Sequence, residues 1–214
     1  MILKTFDFSV YRSILCLNGN LPDHTFFSKM NLPIIAADGA ANTLHNLGIS
    51  PSIVVGDLDS VIDSVRKNNK LHHRPEQNSN DFTKALQYME ENALLPAIVT
   101  GINGGHLDHI INNMNIFMHT DNLLYDPPLS GIVIHKNTSK NFALPLNTKI
   151  SLIGIPSACL TTLGLKWELN RAALSFPGTN SCFNRTTLPE IKIKAHEGAA
   201  LILIYHEPAM DAGG

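Results

Sequence analysis

The stretch IVVGDLDS, residues 53–60, joins a short apolar run to two closely spaced carboxylates. Apolar runs of this length, ended by turn-forming residues, are typical of buried strands in a parallel sheet. Two further runs resemble it: residues 34–37 lead into Asp38-Gly39, and residues 97–99 lead into the glycine-rich segment 100–105. Because ligands bind beyond the carboxyl ends of parallel strands, these three junctions predict one functional edge.

Apolar runs and amphipathic helical patterns alternate over the first two-thirds of the chain. Apolar side chains at i, i+3, i+4 and i+7 predict helices, and Asn80 or Ser79 is expected to cap the helix that follows them. The alternation is typical of βαβ units in a Rossmann-like parallel sheet. Besides the three strands above, it predicts a strand at residues 13–17 and helices at residues 40–47, 82–89 and 107–114.

The helical spacing disappears beyond Asp126-Pro127-Pro128, where short apolar runs alternate with turns. Several strands without intervening helices indicate a small antiparallel sandwich. The predicted fold class is therefore α/β plus all-β: an N-terminal Rossmann-like parallel-sheet domain over residues 1–130, followed by a C-terminal β-sandwich domain over residues 131–214. The strands expected in the second domain are residues 131–135, 149–155, 164–169, 191–195 and 200–205.

Composition narrows the class of protein. The chain has 214 residues, 44% hydrophobic and 16% charged, with a formal net charge of −2. These values are typical of a packed globular protein and offer no basic surface for nucleic acid. The three cysteines are far apart, and no segment has the length and apolar character of a membrane span or signal peptide. We therefore expect a cytoplasmic protein that binds neither nucleic acid nor membranes.

Four carboxylates are expected at the functional edge: Asp38, Asp57, Asp59 and Asp81. Such a cluster repels itself unless a cation lies within it, and hard oxygen ligands suit Mg²⁺. The segment 101–105 precedes a predicted helix and offers backbone N–H groups to a phosphate. Lys84, one turn after Asp81, is a second phosphate partner. Each feature taken alone is also explained as a turn, a helix end or a solvated face, but together they predict a Mg²⁺–nucleotide site.

The chain contains a pair of histidines, His106 and His109, three residues apart. No third nitrogen or sulfur ligand lies near them in sequence, so a helix-surface pair is favoured over a zinc site.

Five motifs, in order along nearly the whole chain, resemble the thiamine pyrophosphokinase (thiamine diphosphokinase) family. One motif, Gly164-Leu165-Lys166-Trp167 (GLKW), lies in the tail. It is followed by Ser181-Cys182-Phe183-Asn184, a degraded form of that family's Ser-Thr-Ser-Asn. The other four motifs are Asp38-Gly39-Ala40 with Ala41-Asn42, residues 56–60 (GDLDS), residues 76–84 (EQNSNDFTK) and residues 104–109 (GGHLDH).

The resemblance implies an enzyme that transfers the pyrophosphoryl group of ATP to the hydroxyl of thiamine, releasing AMP. It also implies a homodimer in which subunits share the thiamine sites. By resemblance, the metal ligands are Asp38, Asp57, Asp59 and Asp81, of which the last three are also catalytic; the ATP-binding residues are Asp38, Gly39, Lys84, Gly104, Gly105, His106 and Asp108; and the thiamine-binding residues are Gln77, Trp167, Ser181 and Asn184. One carboxylate is expected to accept the alcohol proton, and the sequence does not choose among them.

The chain departs from the family pattern at three places. His106 replaces an arginine, which removes a permanent charge, and Asn80 replaces a threonine with little expected effect. Cys182-Phe183 replaces two small hydroxyl residues, so we expect a reshaped thiamine pocket.

Two alternative functions stay open. One is a catalytically silent thiamine- or nucleotide-binding protein. The other is a metal-dependent glycosyltransferase with an Asp-x-Asp motif, which leaves the GGHLDH and GLKW segments unexplained.

Overall fold

A computed structural model of the chain describes residues 6–206. They divide into two compact units: one is Phe8–Asp126, and the other combines residues 6–7 with residues 127–206. Within residues 6–206, no helix has both the length and the apolar character that a membrane crossing requires.

The first unit is a parallel sheet with an α-helix in each connection between its strands. After a short 3-10 helix, Phe8–Val10, its elements are β1 (Ser13–Cys16), α1 (His24–Met30), β2 (Ile34–Ala37), α2 (Ala40–Asn46), β3 (Ile53–Gly56), α3 (Asp63–Asn68), β4 (Leu71–His73), α4 (Asp81–Glu91), β5 (Ala97–Thr100), α5 (Leu107–Phe117) and β6 (Leu123–Asp126). The strands lie in the order β6–β5–β1–β2–β3–β4, and every neighbouring pair is parallel. The predicted Rossmann-like sheet is confirmed.

The core of this unit forms as the apolar patterns predict. All residues of β1 and β5 are buried, because helices cover a parallel sheet on its faces. Helix α4 buries Phe82, Ala85 and Met89, and the Asn80 side chain caps it by accepting from the Thr83 backbone N–H at 2.9 Å. Helix α5 forms where predicted, but two members of its apolar pattern, Leu107 and Ile111, are exposed.

The second unit is an antiparallel sandwich built around two long strands. Its elements are β7 (Leu129–His135), β8 (Ser139–Ala143), β9 (Lys149–Leu163), β10 (Ala172–Ser175), β11 (Ser181–Arg185) and β12 (Glu190–Tyr205). One half of the β9–β12 pair has β11 and β7 at its edges, and the other half has β10 and β8. Register shifts near residues 195–200 separate the halves, since bulges bend a strand from one layer into the next. The predicted sandwich is confirmed.

Two strand predictions in this unit are wrong. The expected strands 191–195 and 200–205 are one strand, β12, because bulges continue it through Gly198. The expected strand 164–169 is a loop with a single bridge, Leu165 to Thr186. Its apolar residues alternate with polar ones, as in a strand with one buried face, but the backbone turns at Gly164, which has φ +92°. Side chains satisfy part of its backbone hydrogen bonding, as described below.

Candidate active site

Three carboxylates meet beyond the carboxyl ends of β2 and β3. Single oxygen atoms of Asp38, Asp57 and Asp59 lie within 4.8 Å of one another. Asp38 is only 3% exposed, and its Oδ1 is buried with no hydrogen-bond partner in residues 6–206. A buried carboxylate oxygen without a partner is costly, so this arrangement suits a bound cation.

The backbone at this edge is shaped to bring the carboxylates together. Asp38 has φ +44°, and its N–H donates to the Val55 carbonyl at 2.9 Å across the β2–β3 pair. A Cβ at Gly56 would lie 2.8 Å from the Asp38 Cβ, so only glycine allows this close approach.

An Asp-x-Asp pattern on an extended strand would put both carboxylates on one face, but the Asp57–Asp59 segment is not extended. The backbone turns at Leu58, which has φ +68°, and this turn places the apolar Leu58 side chain in the interior. The two carboxylates nevertheless converge, because residues on either side of a tight turn are also close in space.

Two residues to which the sequence analysis assigned no role hold this loop. Asn42 donates from Nδ2 to the Ser60 carbonyl at 2.8 Å and accepts from the Ile62 N–H at 3.1 Å. Arg66 of α3 donates to the carbonyls of Leu58 and Val61. Asn42 lies within a family-like motif, but nothing in the sequence around Arg66 indicates this role, because α3 itself was not predicted.

Lys84 is the cation nearest the carboxylates. Its Nζ is 3.0 Å from Asp57 Oδ2 and 3.3 Å from Asp81 Oδ1, and its side chain is 2% exposed. The hydrogen bond from Lys84 lowers the pKa of Asp57. Burial, with the charge of Asp38, raises the pKa of Asp81. Burial alone would lower the pKa of Lys84, but the hydrogen bond to Asp57 and the charge of Asp81 outweigh it and raise the pKa.

A cleft of about 240 Å³ lies beside these carboxylates. Its lining includes Asp38, Gly39 and Asp81 from the predicted site. It also includes polar side chains that no motif assigned a role, at Asn18, Asn112, Asn113, Ser60 and His109. Helical spacing brings residues 109, 112 and 113 to one face of α5, which is the signal that could have found them.

The glycine-rich segment after β5 packs against the loop after β1. A Cβ at Gly104, where φ is +99°, would lie 2.3 Å from the Asn20 side chain, whereas a Cβ at Gly105 would make only an ordinary van der Waals contact, 4.0 Å from the Asn18 carbonyl oxygen. Among the predicted ATP residues, Lys84, Gly104, Gly105, His106 and Asp108 lie outside the lining of the cleft. The rings of His106 and His109 are 6.0 Å apart, and Asp108 accepts from the N–H of His109.

The predicted thiamine-binding residues fall in both units. Gln77, in the first unit, donates from Nε2 to Asp57 Oδ2 at 3.2 Å. Ser181, Asn184 and Trp167 lie in the second unit, where Asn184 Nδ2 donates to Ser181 Oγ at 3.1 Å and to the Trp167 carbonyl at 2.7 Å. The indole of Trp167 is 56% exposed.

Comparison with known proteins identifies relatives of both units. The thiamin pyrophosphokinase catalytic domain matches residues 25–124, and the thiamin pyrophosphokinase vitamin B1 binding domain matches residues 133–199. Thiamine pyrophosphokinase 2 of Arabidopsis thaliana is 25% identical over an alignment 215 residues long, which covers 80% of this chain and 78% of that protein. Thiamin pyrophosphokinase 1 of Caenorhabditis elegans is 26% identical over 187 residues, covering 75% and 74%.

Solved structures share the fold. Thiamin pyrophosphokinase from Candida albicans superposes with a TM-score of 0.78 at 16% identity, covering 94% of this chain and 90% of that one. The yeast enzyme gives a TM-score of 0.78 at 18% identity, covering 91% and 86%. Because both domain models match in order and together span most of the sequence, the chain belongs to the thiamine pyrophosphokinase family.

Proposed function

We propose that this protein transfers the pyrophosphoryl group of ATP to the hydroxyl of thiamine, giving thiamine diphosphate and AMP. The observation that carries the proposal is the acidic cluster of Asp38, Asp57 and Asp59 within the segment that matches the family's catalytic domain. The match of a vitamin B1 binding domain to the tail supports thiamine as the acceptor.

The residues present fit a divalent cation. The carboxylates of Asp38, Asp57 and Asp59 converge, and the Lys84 ammonium pairs with Asp57 and with a fourth carboxylate, Asp81. The buried, unpartnered Oδ1 of Asp38 offers a hard oxygen ligand. We propose that these carboxylates hold Mg²⁺, which when bound supplies positive charge to the phosphate oxygens of ATP.

The chain's own residues position the reaction. Attack on the β-phosphorus needs an aligned nucleophile and neutralised phosphate charge rather than a covalent intermediate. Lys84 donates to Asp57 and Asp81, and we propose that its third N–H donor, on a side chain that is 2% exposed, contacts a phosphate oxygen when ATP binds. We propose that Gly39 and the Gly104-Gly105 amides, with His106 and Asp108, also contact ATP, as the family resemblance implies.

We propose that the two parts of the chain bind different ligands: residues 1–130 bind ATP and Mg²⁺, and residues 131–214 bind thiamine. Of the proposed thiamine residues, Trp167 and Ser181 lie in the second part, and Gln77 is an additional contact from the first part. Asn184 is buried and its amide is fully hydrogen-bonded to protein groups, so we propose that it acts by holding Trp167. Trp167 suits the role because the π face of its exposed ring attracts cations: the Lys166 ammonium lies 4.8 Å from the ring centroid, and the cationic thiazolium ring would be attracted in the same way. We also propose a homodimer whose subunits share thiamine sites, which rests on the family resemblance alone, and a cytoplasmic location, which rests on the composition of the sequence.

The test is AMP release from ATP and Mg²⁺, with and without thiamine, with products identified by mass spectrometry. The proposal expects AMP and thiamine diphosphate in equal amounts, formed only when thiamine and the metal are both present. ADP with thiamine monophosphate would contradict the proposed site of attack. Thiamine binding without AMP formation would favour the catalytically silent binding protein. Family membership leaves the glycosyltransferase alternative without support.

A further inference from the structure

The loop that carries Trp167 is closed at its base. Thr162 and Leu169 flank it: the Thr162 N–H donates to the Leu169 carbonyl at 2.9 Å, and the Leu169 N–H donates to Thr162 Oγ1 at 2.8 Å. The Lys166 N–H donates to the Arg185 carbonyl at 2.8 Å. The loop is therefore an ordered part of the sandwich rather than a free connection.

The Glu168 carboxylate accepts three hydrogen bonds from other residues of this loop and its base. Its Oε1 accepts from the backbone N–H groups of Gly164 at 2.6 Å and Leu165 at 3.0 Å. Its Oε2 accepts from the Thr162 hydroxyl at 2.6 Å. Bonds from donors to an ionised carboxylate are stronger than neutral ones, so this one side chain joins both ends of the loop.

Asn184 holds the same loop at Trp167. Its Oδ1 accepts from the Trp167 N–H at 3.1 Å and the Arg185 N–H at 2.8 Å, and its Nδ2 donates to the Trp167 carbonyl at 2.7 Å and to Ser181 Oγ. The side chain is buried, and these contacts occupy both lone pairs and both protons of its amide. Asn184 thus acts on the Trp167 backbone, while the indole itself is exposed to solvent.

We propose that Glu168 is a positioning residue for thiamine binding. By tying Gly164, Leu165 and Thr162 together, it holds the loop in the form in which Asn184 fixes the Trp167 backbone. A preset indole binds a flat cationic ring without first losing conformational freedom, so the benefit is tighter thiamine binding. The inference deepens the proposed function and rests on it.

The chain offers sharp variants for a test. Glu168→Ala removes all three hydrogen bonds, whereas Glu168→Gln keeps an Oε1 acceptor for the two N–H groups and turns an amide proton toward the Thr162 hydroxyl, which can accept it. Glu197→Ala is the matched control, because Glu197 is an exposed glutamate of the same unit, on β12. Trp167 is the single tryptophan of the sequence, so fluorescence excited selectively at tryptophan rather than at the four tyrosines reports this loop alone.

The measurements are kcat, the KM for thiamine and the KM for ATP, together with Trp167 anisotropy and acrylamide quenching in the full chain without ligands. For Glu168→Ala we expect the KM for thiamine to rise about five- to tenfold, with kcat and the KM for ATP unchanged, because uniform binding is lost. We also expect lower anisotropy and faster quenching. Glu168→Gln should restore wild-type values within about twofold, and Glu197→Ala should match wild type.

Two results separate this inference from the proposed function. An unchanged KM for thiamine in an active Glu168→Ala variant overturns the positioning role and leaves the proposed function intact. A wild-type protein that forms no AMP with thiamine overturns the proposed function, and the fluorescence then still shows whether Glu168 orders the loop. Equal losses of kcat and of both affinities, without rescue by glutamine, would mean that Glu168 only supports the fold.

Discussion

Replacing Lys84 by methionine tests the charge balance of the candidate site. Methionine fills a similar volume, so the substitution removes the ammonium without opening a cavity. Removing one partner of a buried ion pair costs about 3–5 kcal/mol of unfolding free energy. Here the partners are partly solvated, Asp57 being 17% and Asp81 39% exposed, so we expect a loss of about 2 kcal/mol.

Thermal unfolding measures this loss of stability, and thiamine-dependent AMP formation measures the effect on catalysis. For a chain of this length, about 2 kcal/mol corresponds to a fall of about 4–8 °C in Tm. We expect thiamine-dependent AMP formation to fall at least about a hundredfold, because Lys84 orients two carboxylates of the proposed metal site. Lys67→Met is the control, since Lys67 is an exposed lysine of the same unit.

The pH dependence gives the prediction a second, independent check. Lys84 lowers the pKa of Asp57, so this carboxylate stabilises the fold above its unfolded pKa of about 3.9. That contribution is lost as the pH falls through the lower folded-state pKa. The difference in unfolding free energy between wild type and Lys84→Met should therefore be full near pH 6 and shrink below about pH 4. A Tm equal to that of the Lys67→Met control, with full turnover, would refute the reasoning.

Two further substitutions test the candidate site, and one labelling reaction tests the burial of the cysteines. Asp59→Asn should abolish turnover while the Tm stays within about 2 °C of wild type, because the change removes a ligand charge from an exposed carboxylate; retained activity would contradict the metal assignment. Gly56→Ala should weaken Mg²⁺ affinity measured by calorimetry, since the new Cβ would lie 2.8 Å from the Asp38 Cβ and displace that carboxylate; unchanged affinity would show that Asp38 is not a ligand. In native protein a thiol reagent should modify the exposed Cys182 and leave the buried Cys16 unreacted, because burial raises the pKa of the Cys16 thiol. Mass spectrometry of the labelled peptides checks this, and rapid labelling of Cys16 without denaturant would be the contrary result.

Much of the first unit was predictable from local pattern. The runs that became β1, β2, β3 and β5 are apolar except for Ser13 and Thr100, and βαβ alternation leaves few possible arrangements for them. The short helices α1 and α3 were not predicted, because seven and six residues give little periodicity. Helix α2 is as short as α1, but its alanines and leucine, and the glycine that follows it, indicated a helix. The role of Arg66 was hidden with them, since it depends on where α3 places one side chain.

The second unit shows where local pattern fails. Residues 164–169 have the composition of a strand, yet the backbone turns at Gly164 and its N–H donates to Glu168. Likewise, the break that separates residues 195 and 200 in sequence is a bulge within β12. Both outcomes depend on partners distant in sequence, which periodicity does not report.

The sequence by itself determined the fold class and the residue types at the carboxyl ends of the strands, because both follow from short-range pattern and the geometry of a parallel sheet. Only the tertiary structure decided how those groups are paired. It buried Lys84 between Asp57 and Asp81, left Asp38 Oδ1 without a partner in the described chain, and placed Glu168 inside the Trp167 loop. These relations arise from contacts set by packing and from close approaches that glycine permits, and a linear pattern does not encode distances between residues that folding brings together.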